Sequence, residues 1–325
     1  MKIGVSYFGN RILEHVETDM RLLKTIGFNF VVHTYSENDF EFYEKTMHEI
    51  VEITKEQGLE VWVDPWGVGG FFGGEAYTSW VLKHPTMCQI DSMFEKVPAA
   101  CPNNERFRKM IKTWIKSAAQ SGADFVFWDE PHFFQHFSKA GLWCCRCPSC
   151  VKKFETMYKK KFPLKKTANI DFFKMESIVD FLSFATGEAE KEGLRNAVCI
   201  LPEADEGFLT KIATLPSLEV LATDPYGILF GKPLGDYVTD ETRKLKRAAE
   251  RFGKKVQIWM QAFKVPHENN ADIIDAMDKT KKLDVDSIAI WGYKACKYMS
   301  SIASESPDEL WGLIEEWVMR NEEDK

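Results

Sequence analysis

The sequence predicts an α/β fold, a (β/α)8 TIM barrel, from three observations. Eight short β-branched or aromatic runs recur along the chain, helical periodicity follows most of them, and the runs are almost continuously apolar. Continuous apolar character is typical of strands covered on both faces, as in parallel sheets. The 325 residues suffice for one large domain, so we expect a single barrel over 1–325, with a doubly wound sheet as the alternative.

The predicted elements alternate in chain order. The strands are 2–7, 28–33, 59–64, 124–129, 197–202, 218–223, 255–260 and 286–291. The helices are 15–26, 104–121, 171–192, 236–252, 270–283 and 307–320. Gly27 is expected to end the first helix, and Asp171 and Ser306 are candidate N-caps.

Two connections are too long to be simple turns. Residues 65–103 follow the third strand and contain the glycine-rich stretch WGVGGFFGGEAY, and residues 131–170 follow the fourth and contain a cysteine cluster. Loops of this length in a compact domain usually carry function. Both would lie at the C-terminal face of the barrel, where such enzymes place their active sites. We expect the first to act as a lid and the second to be a zinc-stabilised insertion.

Composition narrows the functional classes. The net charge of −7 comes from interleaved acids and bases, which argues against a nucleic-acid or membrane surface. The N-terminal stretch lacks the apolar core of a signal peptide, and no apolar run is long enough to span a bilayer. Eight cysteines, four of them in CCRCPSC, are typical of a metal site in a reducing compartment. We therefore expect a cytoplasmic protein with a small-molecule partner; a homo-oligomer is compatible with the sequence.

Four predicted strands end with an acid beside a proline. These pairs are Asp64–Pro65, Glu130–Pro131, Pro202–Glu203 and Asp224–Pro225. Proline drives the residue before it toward extended geometry, so these acids should continue the strand direction to the barrel mouth. An acid at a strand end can also cap the next helix, but four such acids together favour a site.

Aromatic and polar residues share the predicted rim with these acids. A tryptophan face stacks well against the C–H face of a sugar ring, so the pattern favours a carbohydrate site. The candidate substrate contacts are Asp64, Trp66, Trp128, His33, His132, Tyr226, Trp259, Gln261, Trp291 and Lys294.

The stretch FWDEPH, residues 127–132, resembles the Asn-Glu-Pro motif of the retaining (β/α)8 glycoside hydrolases. The resemblance implies that Glu130 is the acid/base catalyst, and cleavage of a glycosidic bond requires such a proton donor together with a second carboxylate. Two positions depart from the motif: Asp129 replaces the asparagine, and the seventh strand ends at Gln261 where that group has its nucleophilic glutamate.

Three arrangements could supply the second carboxylate. Asp129 could be the nucleophile, as in many α-glycosidases, with Asp224 or Glu203 as acid/base. Glu130 could be the acid, with Asp224 or Asp64 as nucleophile or base. In the third, the adjacent acids resemble the Asp–Glu pair of hexosaminidases, which implies that the substrate's own N-acetyl group assists. Because neighbouring strand residues point to opposite faces, we expect only one of the two adjacent acids to face the barrel axis, and we favour Glu130 because Pro131 would hold it extended.

The cysteine spacing predicts a structural zinc site. Cys145, Cys147 and Cys150 supply three soft ligands, and Cys101 is the preferred fourth. The rivals for that position are Cys144, Cys88, His132 and His136. The pattern is similar to that of the family 42 β-galactosidases, in which a Cys-Pro motif and a Cys-x-Cys-x-x-Cys cluster occur together near the active site.

Two other functions fit parts of the sequence. A barrel resembling tRNA-guanine transglycosylase carries a similar zinc cluster, but no histidine occurs here between His136 and His267, and the acidic charge disfavours RNA. A sugar-binding barrel without catalysis would account for Gln261. The sequence favours a glycoside hydrolase.

Overall fold

The computed structural model describes residues 1–136 and 141–323. Eight parallel strands form a closed barrel, and two further strands form an antiparallel pair beside it. In chain order the strands are β1 Lys2–Tyr7, β2 Phe30–Thr34, β3 Glu60–Asp64, β4 Cys88–Ile90, β5 Lys96–Ala100, β6 Phe125–Trp128, β7 Arg195–Cys199, β8 Val220–Thr223, β9 Lys255–Gln261 and β10 Ser287–Trp291. Around the barrel the order is β1, β2, β3, β6, β7, β8, β9 and β10, which pairs again with β1.

Helices cover the outside of the barrel. They are α1 Leu13–Ile26, α2 Glu37–Phe42, α3 Glu44–Glu56, α4 Trp80–Lys83, α5 Glu105–Gln120, α6 Pro148–Tyr158, α7 Ala168–Lys191, α8 Glu206–Ala213, α9 Leu234–Glu250, α10 Asn270–Lys281 and α11 Pro307–Glu323. The predicted fold class is confirmed: all eight predicted strands overlap barrel strands, and each predicted helix overlaps an observed one. None of the helices in the described ranges is long and apolar enough to cross a membrane.

A local signal explains the end of α1, whereas the predicted start of α7 needs a correction. Gly27 ends α1 with a φ of 112°, a left-handed conformation that glycine adopts without steric cost. The predicted N-cap at Asp171 is wrong, because α7 begins earlier, after Thr167, and Asp171 lies in its first turn. A carboxylate in the first turn still interacts favourably with the helix dipole.

Strand alternation separates two apolar layers. One face of each strand packs against the helices, and the other fills the barrel interior with residues such as Phe30, Trp62, Phe127 and Trp259. The interior is therefore packed with side chains, and a ligand can enter only beyond the strand ends. This alternation also decides which residue after each strand faces the barrel axis.

The two long connections are joined to each other. The pair β4–β5, which the sequence did not reveal because its first strand has only three residues, lies within the first connection. Asp91 and Cys144 form an isolated antiparallel bridge, and the Arg146 backbone N–H donates to the Ile90 carbonyl at 2.8 Å. The cysteine segment thus extends this small sheet.

Candidate functional site

Acidic side chains converge at the C-terminal end of the barrel. Asp64 lies two residues after Trp62, Asp129 two after Phe127, and each of these preceding residues belongs to the barrel interior. Asp224 directly follows β8, at a position that continues the set of β8 side chains facing the barrel interior. We call the acid group the following five residues: Asp64, Glu75, Asp129, Glu130 and Asp224.

Glu130 joins the acid group by a route that the sequence did not predict. Its φ is 37°, so the expectation that Pro131 holds it extended is wrong. The turned backbone brings its carboxyl within hydrogen-bonding reach of the Asp224 carboxyl. Asp129 and Glu130 therefore both lie in the group, contrary to the expectation that only one of them would.

The acid group is short of hydrogen-bond donors and of positive charge. Asp64 is fully buried, and neither of its carboxylate oxygens has a hydrogen-bond partner; Oδ1 of Asp224 and Oγ1 of Thr34 are also buried without one. Burial, reinforced by the neighbouring carboxylates, raises the pKa of Asp64, Asp129 and Asp224 well above the usual range. Asp64, Asp129 and Asp224 therefore retain protons at a pH where exposed carboxylates have lost theirs.

The glycine-rich connection folds over the acid group. The Gly73 N–H donates to the Asp129 carbonyl at 3.0 Å, and a Cβ at Gly73 would meet Asp129 Oδ2 at 2.4 Å, so only glycine permits this approach. Glu75 is exposed as a residue, but its carboxyl end turns toward the group and is partly buried there. That burial raises its pKa, and the nearby Trp66 indole and the Lys264 ammonium oppose the effect. The base of the connection is fixed by buried Glu37, which accepts hydrogen bonds from the backbone N–H groups of Gly69, Ser79 and Trp80.

A groove of about 720 Å³ opens beside the acid group. Trp66, Phe8 and Lys294 line it, and Phe8 stacks between Trp66 and Trp291 with ring centroids 6.1 and 5.6 Å away. On its wall, the Asp19 carboxylate accepts hydrogen bonds from the hydroxyls of two tyrosines, Tyr7 and Tyr293, each at 2.7 Å. The groove offers stacking surfaces, but none of the five acids lines it. Trp66 connects the two, because its indole packs against Gly74, next to Glu75 of the acid group.

Three predicted site residues lie elsewhere. His33 is buried on the helix side of β2 with Nε2 2.9 Å from Thr54 Oγ1, and burial lowers its pKa to about 3. Trp128 is buried on the helix side of β6, where its indole N–H donates to Asn196 at 2.8 Å. Glu203 is exposed and forms an ion pair with Lys232 at 2.9 Å, outside the acid group.

The remaining predicted contacts lie at or below the mouth. Tyr226 lies close to Asp224. Its pKa is raised mainly by burial and, to a smaller extent, by the Asp224 carboxylate. Gln261 points inward but uses both ends of its amide, donating to the Phe263 carbonyl and accepting from the Leu229 N–H. The Trp259 indole N–H donates to Gln257 one layer deeper. Nδ1 of His132 lies 2.6 Å from the Glu130 carbonyl oxygen.

Four buried cysteines, contributed by the two long connections, form a second cluster. The Sγ atoms of Cys101, Cys145, Cys147 and Cys150 all lie within 4.8 Å of one another, and this group could bind a metal ion. The predicted triplet and its preferred fourth member are thus brought together, whereas Cys88 and Cys144 remain outside the set.

The surroundings of these sulfurs fit a metal-bound thiolate set. Tetrahedral zinc with Zn–S bonds of about 2.3 Å requires sulfurs about 3.8 Å apart, which is compatible with this spacing. The Ile90 and Cys147 backbone N–H groups each donate to Cys145 Sγ at 3.4 Å, and the Asn103 amide donates to Cys150 Sγ at 3.3 Å. Such donors stabilise negative charge on sulfur.

Two members of the site were missed in the sequence. Glu75 ends the glycine-rich stretch, and the run of glycines before it was the available signal for a chain that folds back over the mouth. Thr34 ends β2 opposite Asp64 in the pairing register. Phe30 and Val32 point into the barrel, and the alternation of side chains along the strand predicts that Thr34 does so too.

Comparisons with known proteins support the fold. No protein-family model matches the chain, and no curated protein matches it either. Among solved structures, a GH5_18 glycoside hydrolase from Bifidobacterium longum in complex with Manβ1-4GlcNAc is similar at 12% identity and a TM-score of 0.59, covering 90% of this chain and 69% of that one. A Flavobacterium johnsoniae chitobiase has 11% identity and a TM-score of 0.56, and the match covers the whole of this chain but about half (52%) of that one.

A sugar epimerase is similar over its full length as well. The D-allulose 3-epimerase from Methylomonas sp. has 10% identity and a TM-score of 0.54, with 98% of this chain and 97% of that chain covered. The neighbours therefore share the barrel and include several enzyme classes. The resemblance to family 42 β-galactosidases stays a prediction.

Proposed function

We propose that the protein hydrolyses an O-glycosidic bond at the C-terminal end of the barrel, with Glu130 as the proton donor to the leaving oxygen. The observation that carries this proposal is the convergence of five carboxyl groups beside a groove lined by aromatic rings. Glycoside hydrolysis requires paired carboxyl groups in different protonation states, and aromatic faces bind sugar rings.

The contact between Glu130 and Asp224 provides the proton. Burial, and then the neighbouring Glu130 carboxyl, raise the pKa of Asp224 well above the usual range, so Asp224 holds a proton within hydrogen-bonding reach of Glu130. Asp224 is buried, whereas Glu130 is partly exposed toward the mouth. Glu130 is therefore the member that reaches a bound glycoside. It passes a proton, replenished from Asp224, to the leaving oxygen, and the water that completes hydrolysis returns a proton to the pair.

Asp129 is the second carboxylate in this mechanism. It lies in phase with the barrel interior and next to Glu130, where its carboxylate, once ionised, would face a developing oxocarbenium ion. It either attacks the anomeric carbon or orients an N-acetyl group of the substrate. Trp66 and Phe8 in the groove hold the leaving group.

The test uses a panel of aryl α- and β-glycosides with wild-type protein and the Glu130→Gln variant. We expect kcat/KM to fall by about 10²–10⁴-fold for substrates with a poor leaving group, which require a proton donor. For dinitrophenyl glycosides, whose leaving group needs no proton, the loss should be much smaller. Glu206→Gln, an exposed residue paired with Arg247, is the matched control.

Equal activity of folded Glu130→Gln and wild type on poor leaving groups would refute the assignment. Cleavage of no glycoside by wild type would favour a non-catalytic sugar-binding barrel.

We also propose that the cysteine group binds structural zinc. Bound zinc would hold the two long connections in place beside the acid group, and takes no part in the chemistry. Protein purified under reducing conditions should contain about one zinc per chain by elemental analysis, and Cys147→Ser should contain much less. Cys88→Ser, a buried cysteine outside the set, should retain the metal. Absence of metal from the reduced wild type would overturn this proposal.

A further inference from the structure

We infer that the sugar bound at the acid group carries a protonated amine, so that the substrate class is the glycosides of basic amino sugars. This inference rests on the proposed function and deepens it. It comes from a comparison of the polar atoms in the described part of the chain that have hydrogen-bond partners with those that have none.

The first observation is a local excess of negative charge. Asp64, Asp129 and Asp224 act on one another, and the influences that raise their pKa are burial and other carboxyl groups. Lys264 approaches the group from the side of Glu75. A uronic acid or a phosphorylated sugar would meet strong repulsion here, whereas a cationic ligand would relieve it.

The second observation is a set of buried acceptors that lack donors. Both oxygens of Asp64, one oxygen of Asp224 and the hydroxyl of Thr34 are buried without partners. Thr34 and Asp64 are paired in register on adjacent strands, and both continue the phase of the barrel interior. Leaving such groups unpaired costs about 1–3 kcal/mol each. An ammonium group offers three N–H donors and a charge, whereas an acetamido group offers one donor and no charge.

The third observation concerns the size of the cation. Among the described residues, one set of three or more metal-type ligands has all its donor atoms within 4.8 Å of one another, and that set is the cysteine cluster. In the described part of the chain no three carboxylates of the acid group meet that spacing, although Glu130 and Asp224 lie within hydrogen-bonding reach of each other. A ligand several atoms wide, with its ammonium near Asp64 and its hydroxyls toward the other acids, matches that spread better than a bare ion.

Binding can be measured by calorimetry with methyl glycosides of glucosamine, galactosamine and mannosamine. Each is compared with its parent hexoside and its N-acetyl derivative at the same pH. We expect at least one amino glycoside to bind about tenfold more tightly than both of its neutral counterparts. Asp64→Asn should reduce that preference to about threefold or less, with a smaller reduction in Thr34→Val.

Asp240→Asn is the matched control, because Asp240 is an exposed acid paired with Arg243; it should keep the full preference. Equal or tighter binding of every parent or N-acetyl glycoside would overturn the inference, as would an unchanged preference in both folded Asp64→Asn and Thr34→Val. The outcome is separable from the proposed function. Tight binding of an amino sugar without hydrolysis would refute only the hydrolase, and hydrolysis of neutral glycosides without an amine preference would refute only the amine.

Discussion

Glu60 and Asp64 lie at opposite ends of one strand, β3, and their surroundings are opposite as well. Glu60 accepts hydrogen bonds from Trp62 at 2.8 Å, Lys2 at 2.9 Å and Arg195 at 2.8 Å. Burial alone would raise the pKa of Glu60, but these donors outweigh it and lower the pKa. At the other end Asp64 has no partner, and burial with the neighbouring carboxylates raises its pKa.

This difference separates stability from function within a single strand. At the N-terminal end the charges are paired, and the Arg195 guanidinium also lies 4.0 Å from the centre of the Phe125 ring. At the C-terminal end the acids repel one another and lack donors. Proteins retain such unfavourable groups where a ligand needs them, which is why the unpaired end is the candidate active site.

The largest expected effect is on activity. Asp64→Asn should lower kcat/KM for the glycoside that is cleaved by about 10²-fold or more, because it removes one carboxyl group from the site. Glu60→Gln, at the other end of the same strand, should stay within about twofold of wild type, since it lies outside the site. Steady-state kinetics on both variants tests the contrast. Equal losses would mean that the two ends do not differ in function.

The next largest effect is on stability at the paired end. Glu60→Gln should lower the free energy of unfolding by about 1–2 kcal/mol at pH 7.5, because it loses two ion pairs in a partly buried setting. A lowered folded-state pKa stabilises above the unfolded-state pKa and is lost as the pH falls through the folded value. The cost should therefore shrink in denaturant unfolding at acidic pH. Glu17→Gln, from the exposed pair with Arg21, should change stability by less than about 0.5 kcal/mol.

The smallest effect has the opposite sign. Asp64→Asn should raise the free energy of unfolding by about 1 kcal/mol at pH 7.5, because it relieves repulsion among buried acids. A raised folded-state pKa destabilises the fold increasingly as the pH rises above the unfolded value. The gain should thus be larger at pH 8 than at pH 5 in the same unfolding assay. A loss of stability that is independent of pH would show that Asp64 is held by partners after all.

The barrel could be predicted because its signals are local. Each strand is an apolar run that can be recognised without its neighbours, and Gly27 ends α1 by a conformational preference of its own. The pair β4–β5 escaped prediction, since strands of three and five residues with mixed burial carry little periodicity. Their pairing depends on contacts with a segment some fifty residues later, which no local pattern encodes.

The site was predicted in part for the same reason. The prolines that follow Asp64 and Asp224 predicted both acids at the barrel mouth, and the cysteine spacing predicted the set around Cys147. The phase rule failed where a strand had already ended: Glu130 adopts a positive φ, so its direction follows a turn rather than the pleat. His33 and Trp128 were assigned to the site by residue type, although phase would have sent both toward the helices.

The cysteine group also has a consequence for chain topology. Cys101 and Cys150 are separated by 49 positions, and the chain between them contains α5 and β6, the strand that delivers Asp129. A metal ion shared by these sulfurs closes that stretch into a loop. By the entropy of loop closure, a cross-link of this span disfavours the unfolded chain by about 4 kcal/mol. The strand that leads to Asp129 and Glu130 would then unfold only together with release of the ion, and hydrogen exchange in β6 would report metal occupancy.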